Sequence, residues 1–342
     1  MTKAKNLLQP KFIVMLIAFL FFLILPTFIE SNYIITVLIK CMAFAVFGMA
    51  WNIIGGYGAQ VSWASASFVA IGAYTNFIMQ VELSISPFLS IPVGMLLSFL
   101  FATLIGYGTF RLRGAYFAIA TIAFAEAFRG VLQYFSGLTR GSAGMFITYR
   151  GNNFLALSFS NDRPFYFIFL VLVIISLIVS RLFIKSKTGY YLGCIKGDED
   201  AAETLGIETF KVKLKAFQIS AIMMSVAGAF YASFLTFISP ISTASFNLSV
   251  MIGIVAIVGG TATLWGPVLG AFIIVPLIEL SGVLLGAAGA SNVLYGLLLV
   301  VMVMFRPSGL ITILYALFDK IKKIRDGNRK VKVPISVDEE DS

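Results

Sequence analysis

The polar residues of this chain that are spaced to act together are few. The densest group is the run Lys196-Gly197-Asp198-Glu199-Asp200-Ala201-Ala202-Glu203-Thr204-Leu205-Gly206-Ile207. It is an island between two long apolar stretches, about 164–184 and 214–238. Asp198 can cap a helix of about two turns, Glu199 and Asp200 suit its first turn, and Gly206 can close its far end. Ala201, Ala202 and Leu205 then share one face at helical spacing. The chemistry open to such a pattern is recognition, in which a capped helix carries a small greasy patch into a cleft of a soluble partner. A solvated acidic loop helix accounts for the same residues, and their types leave both readings open.

A second group runs from Asn52 to Ser67, where Asn52, Gln60, Ser62, Ser65 and Ser67 stand among Gly55, Gly56, Gly58 and several alanines. Small residues let helices pack closely and hydroxyls bridge them. The same glycines can mark a helix break whose freed backbone groups line a cavity. Packing and the lining of a solute pathway are therefore both open here. Charges inside apolar runs are few: Lys40, Glu126, Arg129 and Glu279 lie within them, with Arg181 and Lys215 near the ends of theirs. Glu126 and Arg129 lie three apart and can pair on one helix face, as a pathway element or as a structural ion pair. Lys40 and Glu279 are expected to snorkel toward an interface.

Other chemistry is missing. There is no histidine, and Cys41 and Cys194 are the only cysteines, with no metal-thiolate spacing. Neither Lys185-Ser186 nor Lys187-Thr188 follows a glycine, so the chain has no G-x4-G-K-[ST] loop to bind ATP. No nucleophile–base set or paired acids point to an enzyme, and no cofactor or metal is expected in the chain itself.

These groups must be positioned by membrane helices. The 342 residues are 59% hydrophobic and 12% charged, against about a quarter charged in soluble domains; mean hydropathy is +0.95. Apolar runs near 18 residues recur, each able to cross a hydrocarbon layer of ~30 Å as a helix. The expected fold is all-α, a polytopic transmembrane helical bundle of about ten spans (range eight to ten). The spans fall near 12–29, 33–54, 62–80, 88–110, 115–135, 164–184, 214–238, 246–260, 265–285 and 290–305, with 62–80 and 246–260 candidates for broken or re-entrant helices. The run from Phe12 is read as an uncleaved first span.

The net charge of +9 is read as topology control, not nucleic-acid binding, because Lys and Arg cluster beside the spans. With both termini cytoplasmic, Arg111, Arg113, Lys185, Lys187, Lys196, Lys211, Lys213 and Lys215 all fall inside. Arg140, Arg150 and Arg163 fall outside, in a periplasmic loop at about 136–163. The transmembrane domain is taken as 1–310, with the island in a cytoplasmic loop at about 185–213. Residues 311–342 form a polar cytoplasmic tail, basic and then acidic, expected to be partly disordered.

Several segments, in order, carry a family resemblance. Asp200-Ala201-Ala202 followed by Gly206 resembles the EAA-x3-G coupling motif of bacterial ABC-importer permeases, with Asp for the leading Glu. Asn52 to Ser62, Arg111 to Thr121, Val258-Gly259-Gly260 with Leu264 to Ala271, and Phe305 to Leu310 resemble signatures of branched-chain amino acid importer permeases of the LivM type. The resemblance implies a multi-pass permease of the bacterial inner membrane. Its partners would be a second, heteromeric permease, two P-loop ATP-binding subunits that hold ATP–Mg, and a periplasmic binding protein. Asp198, Glu199, Asp200, Ala201, Ala202, Glu203, Leu205 and Gly206 would dock on an ATP-binding subunit. Asn52, Gly55, Gly56, Gln60, Ser62, Ser65, Ser67, Glu126 and Arg129 would be candidates for the pathway. Leu, Ile and Val are the solutes implied; related permeases carry urea, short amides or other amino acids. An ion-gradient-driven carrier is the rival class, against which stands the poverty of mid-membrane acids.

Overall fold

Apolar runs punctuated by Gly, Pro and Ser fold here into helices of bilayer length. The computed structural model describes residues 22–147, 151–285, 296–297 and 309–312. After a turn of helix at 22–28 come α1 (Asn32–Trp51), which continues as a π-helical turn Asn52–Tyr57, then α2 (Ser65–Val81), α3 (Pro87–Thr109) and α4 (Ala115–Tyr134). They are followed by α5 (Arg163–Lys185), α6 (Lys187–Gly197), α7 (Glu199–Thr204), α8 (Thr209–Leu235), α9 (Phe246–Gly259) and α10 (Gly266–Leu285). The only sheet among the described residues pairs two dipeptides, β1 (Met145–Phe146) and β2 (Phe237–Ile238), antiparallel. The chain is an all-α polytopic membrane protein. Each of the eight expected spans between 33 and 285 coincides with a helix; all of 290–305 but residues 296–297, the tail from 313 and most of 12–29 lie outside the described residues.

Two boundaries differ from expectation for visible reasons. The span expected at 62–80 becomes helical only at Ser65, because the three residues before it are tied elsewhere. Trp51 Nε1 donates to the Ser62 carbonyl at 2.9 Å, and the Trp63 N–H donates to Thr121 Oγ1 at 3.1 Å. The span expected from 214 starts at Thr209, so its first turns carry three lysines at one end of the bundle. α6 was not expected; Ser186 caps it by accepting from the Gly189 N–H.

The core is built around α1, α2 and α8. α2 and α8 touch backbone to backbone, since a Cβ on Gly72 would stand 1.9 Å from the Ser225 carbonyl oxygen and one on Gly228 would stand 2.4 Å from that of Val69. A buried amide cluster locks the same pair: Asn76 Nδ2 donates to the Ala229 carbonyl at 3.0 Å and to Ser233 Oγ at 2.8 Å, while Asn76 Oδ1 accepts from Ser90 Oγ at 2.8 Å. Close approach replaces the missing hydrophobic drive between helices in lipid. Gly72→Ala should therefore force the two helices apart, at a cost of about 3 kcal/mol, the upper end for overpacking. A thermal unfolding scan of the purified chain should show a clear fall in midpoint, and an unchanged midpoint would contradict the packing.

Lys40 and Glu279 do not snorkel separately. They pair across α1 and α10 at 2.7 Å. An ion pair inside an apolar layer is cheaper than two lone charges, and a contact 239 positions apart leaves no mark on local sequence.

Candidate functional site

The island folds as a punctuated helix. Asp198 Oδ1 accepts from the Ala201 N–H at 3.0 Å, which fixes the start of α7. Gly206, at φ +82°, ends it. The Gly206 N–H donates to the Glu203 carbonyl at 2.9 Å and the Ile207 N–H to the Ala202 carbonyl at 3.1 Å, the two crossed bonds of a Schellman closure. Both caps therefore stand where the sequence places them. The patch does not. Ala202 is buried against its own chain at 2% exposure, while Ala201 is exposed and Leu205 is 80% exposed. The Leu205 N–H still donates to the Ala201 carbonyl at 3.2 Å, so Ala201 and Leu205 share the exposed side, while Ala202, one position further round the helix, turns inward.

Four polar contacts bind the island to the bundle. Asp200 pairs with Arg113, in the turn between α3 and α4, at 2.8 Å; that hydrogen bond, and then the charge, hold the guanidinium above its ordinary pKa. Glu199 Oε1 accepts from Lys213 Nζ of α8 at 2.5 Å, and Glu203 Oε1 from Thr209 Oγ1 at 2.6 Å. Lys196 Nζ reaches 2.9 Å to the Gly56 carbonyl at the end of the π-helical turn. Of these partners the acidic residues, Lys196 and Gly56 stand out in the sequence, whereas Thr209 does not and Arg113 reads only as a topology charge within a signature run. Lys213 reads there as one of three topology lysines, and nothing local separates it from Lys211 and Lys215.

The second group packs at the same end. The amide of Asn52, only 3% exposed, clamps the turn between α9 and α10: Oδ1 accepts from the Ala262 N–H at 2.9 Å, and Nδ2 donates to the Thr263 carbonyl at 2.8 Å. Gly55 lies under the Trp51 ring, where a Cβ would meet Cη2 at 2.6 Å. Gly56 leaves no room for one, since a Cβ would lie 1.8 Å from Asn52 Oδ1. A π turn widens the helix by one residue and is common at functional positions. Beyond it the chain leaves helical geometry until Ser65, so the glycines do mark a break. Gln60 is half-buried; Ser62, Ser65 and Ser67 are buried, and Ser67 Oγ has no hydrogen-bond partner among the described residues. Glu126 and Arg129 pair at 2.6 Å on α4, each about one-third exposed.

Segments far apart in sequence thus meet in one region. Gly309 packs on Gly260, a Cβ there standing 2.3 Å from the Gly260 Cα, and the Leu310 N–H donates to the Val258 carbonyl at 2.9 Å. The runs from Asn52, Val258 and Gly309 join directly, the island joins them through Lys196, and the run from Arg111 joins through Thr121 and Arg113. The family described as branched-chain amino acid transport system, permease component, matches residues 33–303. The chain belongs to this family.

Relatives of the permease agree. It is 27% identical over 320 residues to the high-affinity branched-chain amino acid transport system permease protein LivM of Escherichia coli (strain K12), covering 86% of this chain and 74% of that one. To the protein of the same name in Salmonella typhimurium (strain LT2) it is 28% identical over 306 residues, 83% and 71% of the two chains. More distantly, it is 24% identical over 221 residues to the autoinducer 2 import system permease protein LsrC of Yersinia enterocolitica, 60% and 58% of the two chains. No solved structure matches. The family is one of transport permeases, not enzymes.

Proposed function

We propose that the permease is the membrane subunit of an ATP-driven importer for branched-chain amino acids, lodged in the bacterial inner membrane by eight to ten spans with both termini cytoplasmic. The observation that carries this is α7, closed at both ends, tied to the bundle by Glu199, Asp200 and Glu203, and offering Leu205 outward. It is the form expected of a knob that enters a cleft on an ATP-binding subunit. ATP–Mg would be held by two such partners, since this chain has no loop to bind it. Nucleotide-driven closure would rock α7 with α8, giving alternating access by rigid-body motion. A periplasmic binding protein would deliver the solute at the other end, where Arg140 stands 3.8 Å from Glu82 and β1 meets β2.

The outer face of α4 supports a second permease as partner. Ile119, Ala123, Glu126, Gly130 and Gln133 follow one another at spacings of four, three, four and three, the seam along which helices pack at about +20°. All five are exposed or half-exposed. The outward faces of α3 and α5 instead carry large aliphatic residues such as Leu96, Leu100, Leu104, Val171, Ile175 and Leu182, suited to lipid. A Glu–Arg pair between small residues is costly against hydrocarbon and suits a protein interface or a wetted path. Gly130→Leu should lower recovery of the second permease at least tenfold while this chain still inserts; full recovery would remove α4 from the interface.

The deciding experiment is uptake of radiolabelled leucine into proteoliposomes holding the complete transporter, with ATP inside the cytoplasmic face and the membrane potential collapsed. Uptake that persists supports the importer. Uptake lost with the potential despite ATP would favour a gradient-driven carrier. Competition by isoleucine, valine, urea and short amides would then settle the solute.

A further inference from the structure

One buried group enters the reading above only as the partner of Glu199. Lys213 is 1% exposed, and it is the one charged side chain among the described residues that is fully buried. Its neighbours Lys211 and Lys215 are exposed and suffice for topology. The position, in the second turn of α8, gives a cation no help from its own helix. Burying an ammonium there is tolerated only with a well-placed counter-charge, and Glu199 supplies it at 2.5 Å, itself 18% exposed. Glu199 is the first residue of α7, so a charge pair joins the start of the island helix to the second turn of α8. Glu203 on Thr209 fastens the other end of α7 to the first residue of the same helix. α8 in turn lies backbone to backbone on α2 and reaches α1 through Ser220 Oγ on the Ala50 carbonyl at 2.7 Å.

We infer that the Glu199–Lys213 pair is the pin through which motion of the docked island is passed to α8, with both residues acting as positioning residues for transport. The inference rests on the coupling role proposed for α7, but assigns the transmission to a contact inside this chain and not to the docking surface. A lysine kept only for topology has no need of burial. Of the ion pairs that hold α7, this is the one shielded from water, since Asp200 and Arg113 are both exposed.

The test uses the complete transporter in proteoliposomes, with ATP hydrolysis and leucine uptake measured on the same sample. Glu199→Asp keeps the charges but shortens the reach by one methylene; Lys213→Met keeps the volume but removes the charge. Either should lower uptake per ATP hydrolysed at least fivefold, with ATP-binding subunits still co-purified and hydrolysis within twofold of the parent. Amide hydrogens of 199–206 should exchange at least tenfold faster, with those of α2 unchanged. The exchanged pair Glu199→Lys with Lys213→Glu should return the ratio to within threefold of the parent. Equal falls in uptake and hydrolysis, unaltered exchange at 199–206, or no rescue by the exchanged pair would overturn the pin. A parent complex with no ATP-driven leucine uptake would instead count against the importer reading, and the exchange measurement would still decide the pin.

Discussion

Leu205→Asp is expected to leave the permease inserted and folded while stripping the ATP-binding subunit from it. Leu205 is 80% exposed and contributes little to its own chain, so its loss has no internal cost. In a cleft the side chain would regain the burial it lacks here, worth about 1.5–3 kcal/mol, or about a 10–100-fold change in affinity. A carboxylate in that cleft adds a desolvation penalty. Binding measured between the purified permease and its ATP-binding partner should fall by at least tenfold, and ATP-driven uptake with it. Undiminished binding would detach α7 from the docking role. Substitutions at Ala202 or Gly206 are poorer probes. Ala202→Glu would place a charge under the island's own packing, and Gly206→Leu would put a side chain at φ +82°, strained by roughly 1–2 kcal/mol. Both act first on the folding of α7.

The second large effect is expected at Gly56. An added methyl would fall 1.8 Å from Asn52 Oδ1 and 2.7 Å from the Ala262 nitrogen. The amide would have to leave the turn, freeing the Ala262 N–H and the Thr263 carbonyl, at about 1–3 kcal/mol for each group left unsatisfied. Gly56→Ala should therefore lower the unfolding midpoint strongly and cut uptake more than tenfold. Asn52→Leu removes the same hydrogen bonds with little change of shape, so it should reproduce most of the loss. If Asn52→Leu were severe and Gly56→Ala mild, the turn would be held by the amide but the close approach at Gly56 would have no importance.

Much of this was legible from residue types. Asp198 and Gly206 punctuate α7 because an aspartate oxygen and a positive-φ glycine solve purely local problems at helix ends. The glycines at 55, 56 and 58 mark the break after α1 for a similar reason. Glu126 and Arg129 pair because they are three apart on one helix. Where helical spacing was asked to put three residues on one face, it failed: Ala202 turns inward against the bundle, while Ala201 and Leu205 stay exposed.

The amino-acid sequence by itself determined that this is a helical membrane protein, where its bilayer-length helices lie and where the island begins and ends. Each of these follows from apolar length and from caps that act within a few residues. Only the tertiary structure decided that Lys213 is buried under Glu199, that Lys196 reaches Gly56, that Asn52 clamps residues 262 and 263, and that Lys40 finds Glu279. Those contacts depend on how helices remote in the chain are brought side by side. A lysine bound for water and a lysine bound for a buried carboxylate read alike until the partner helix is in place.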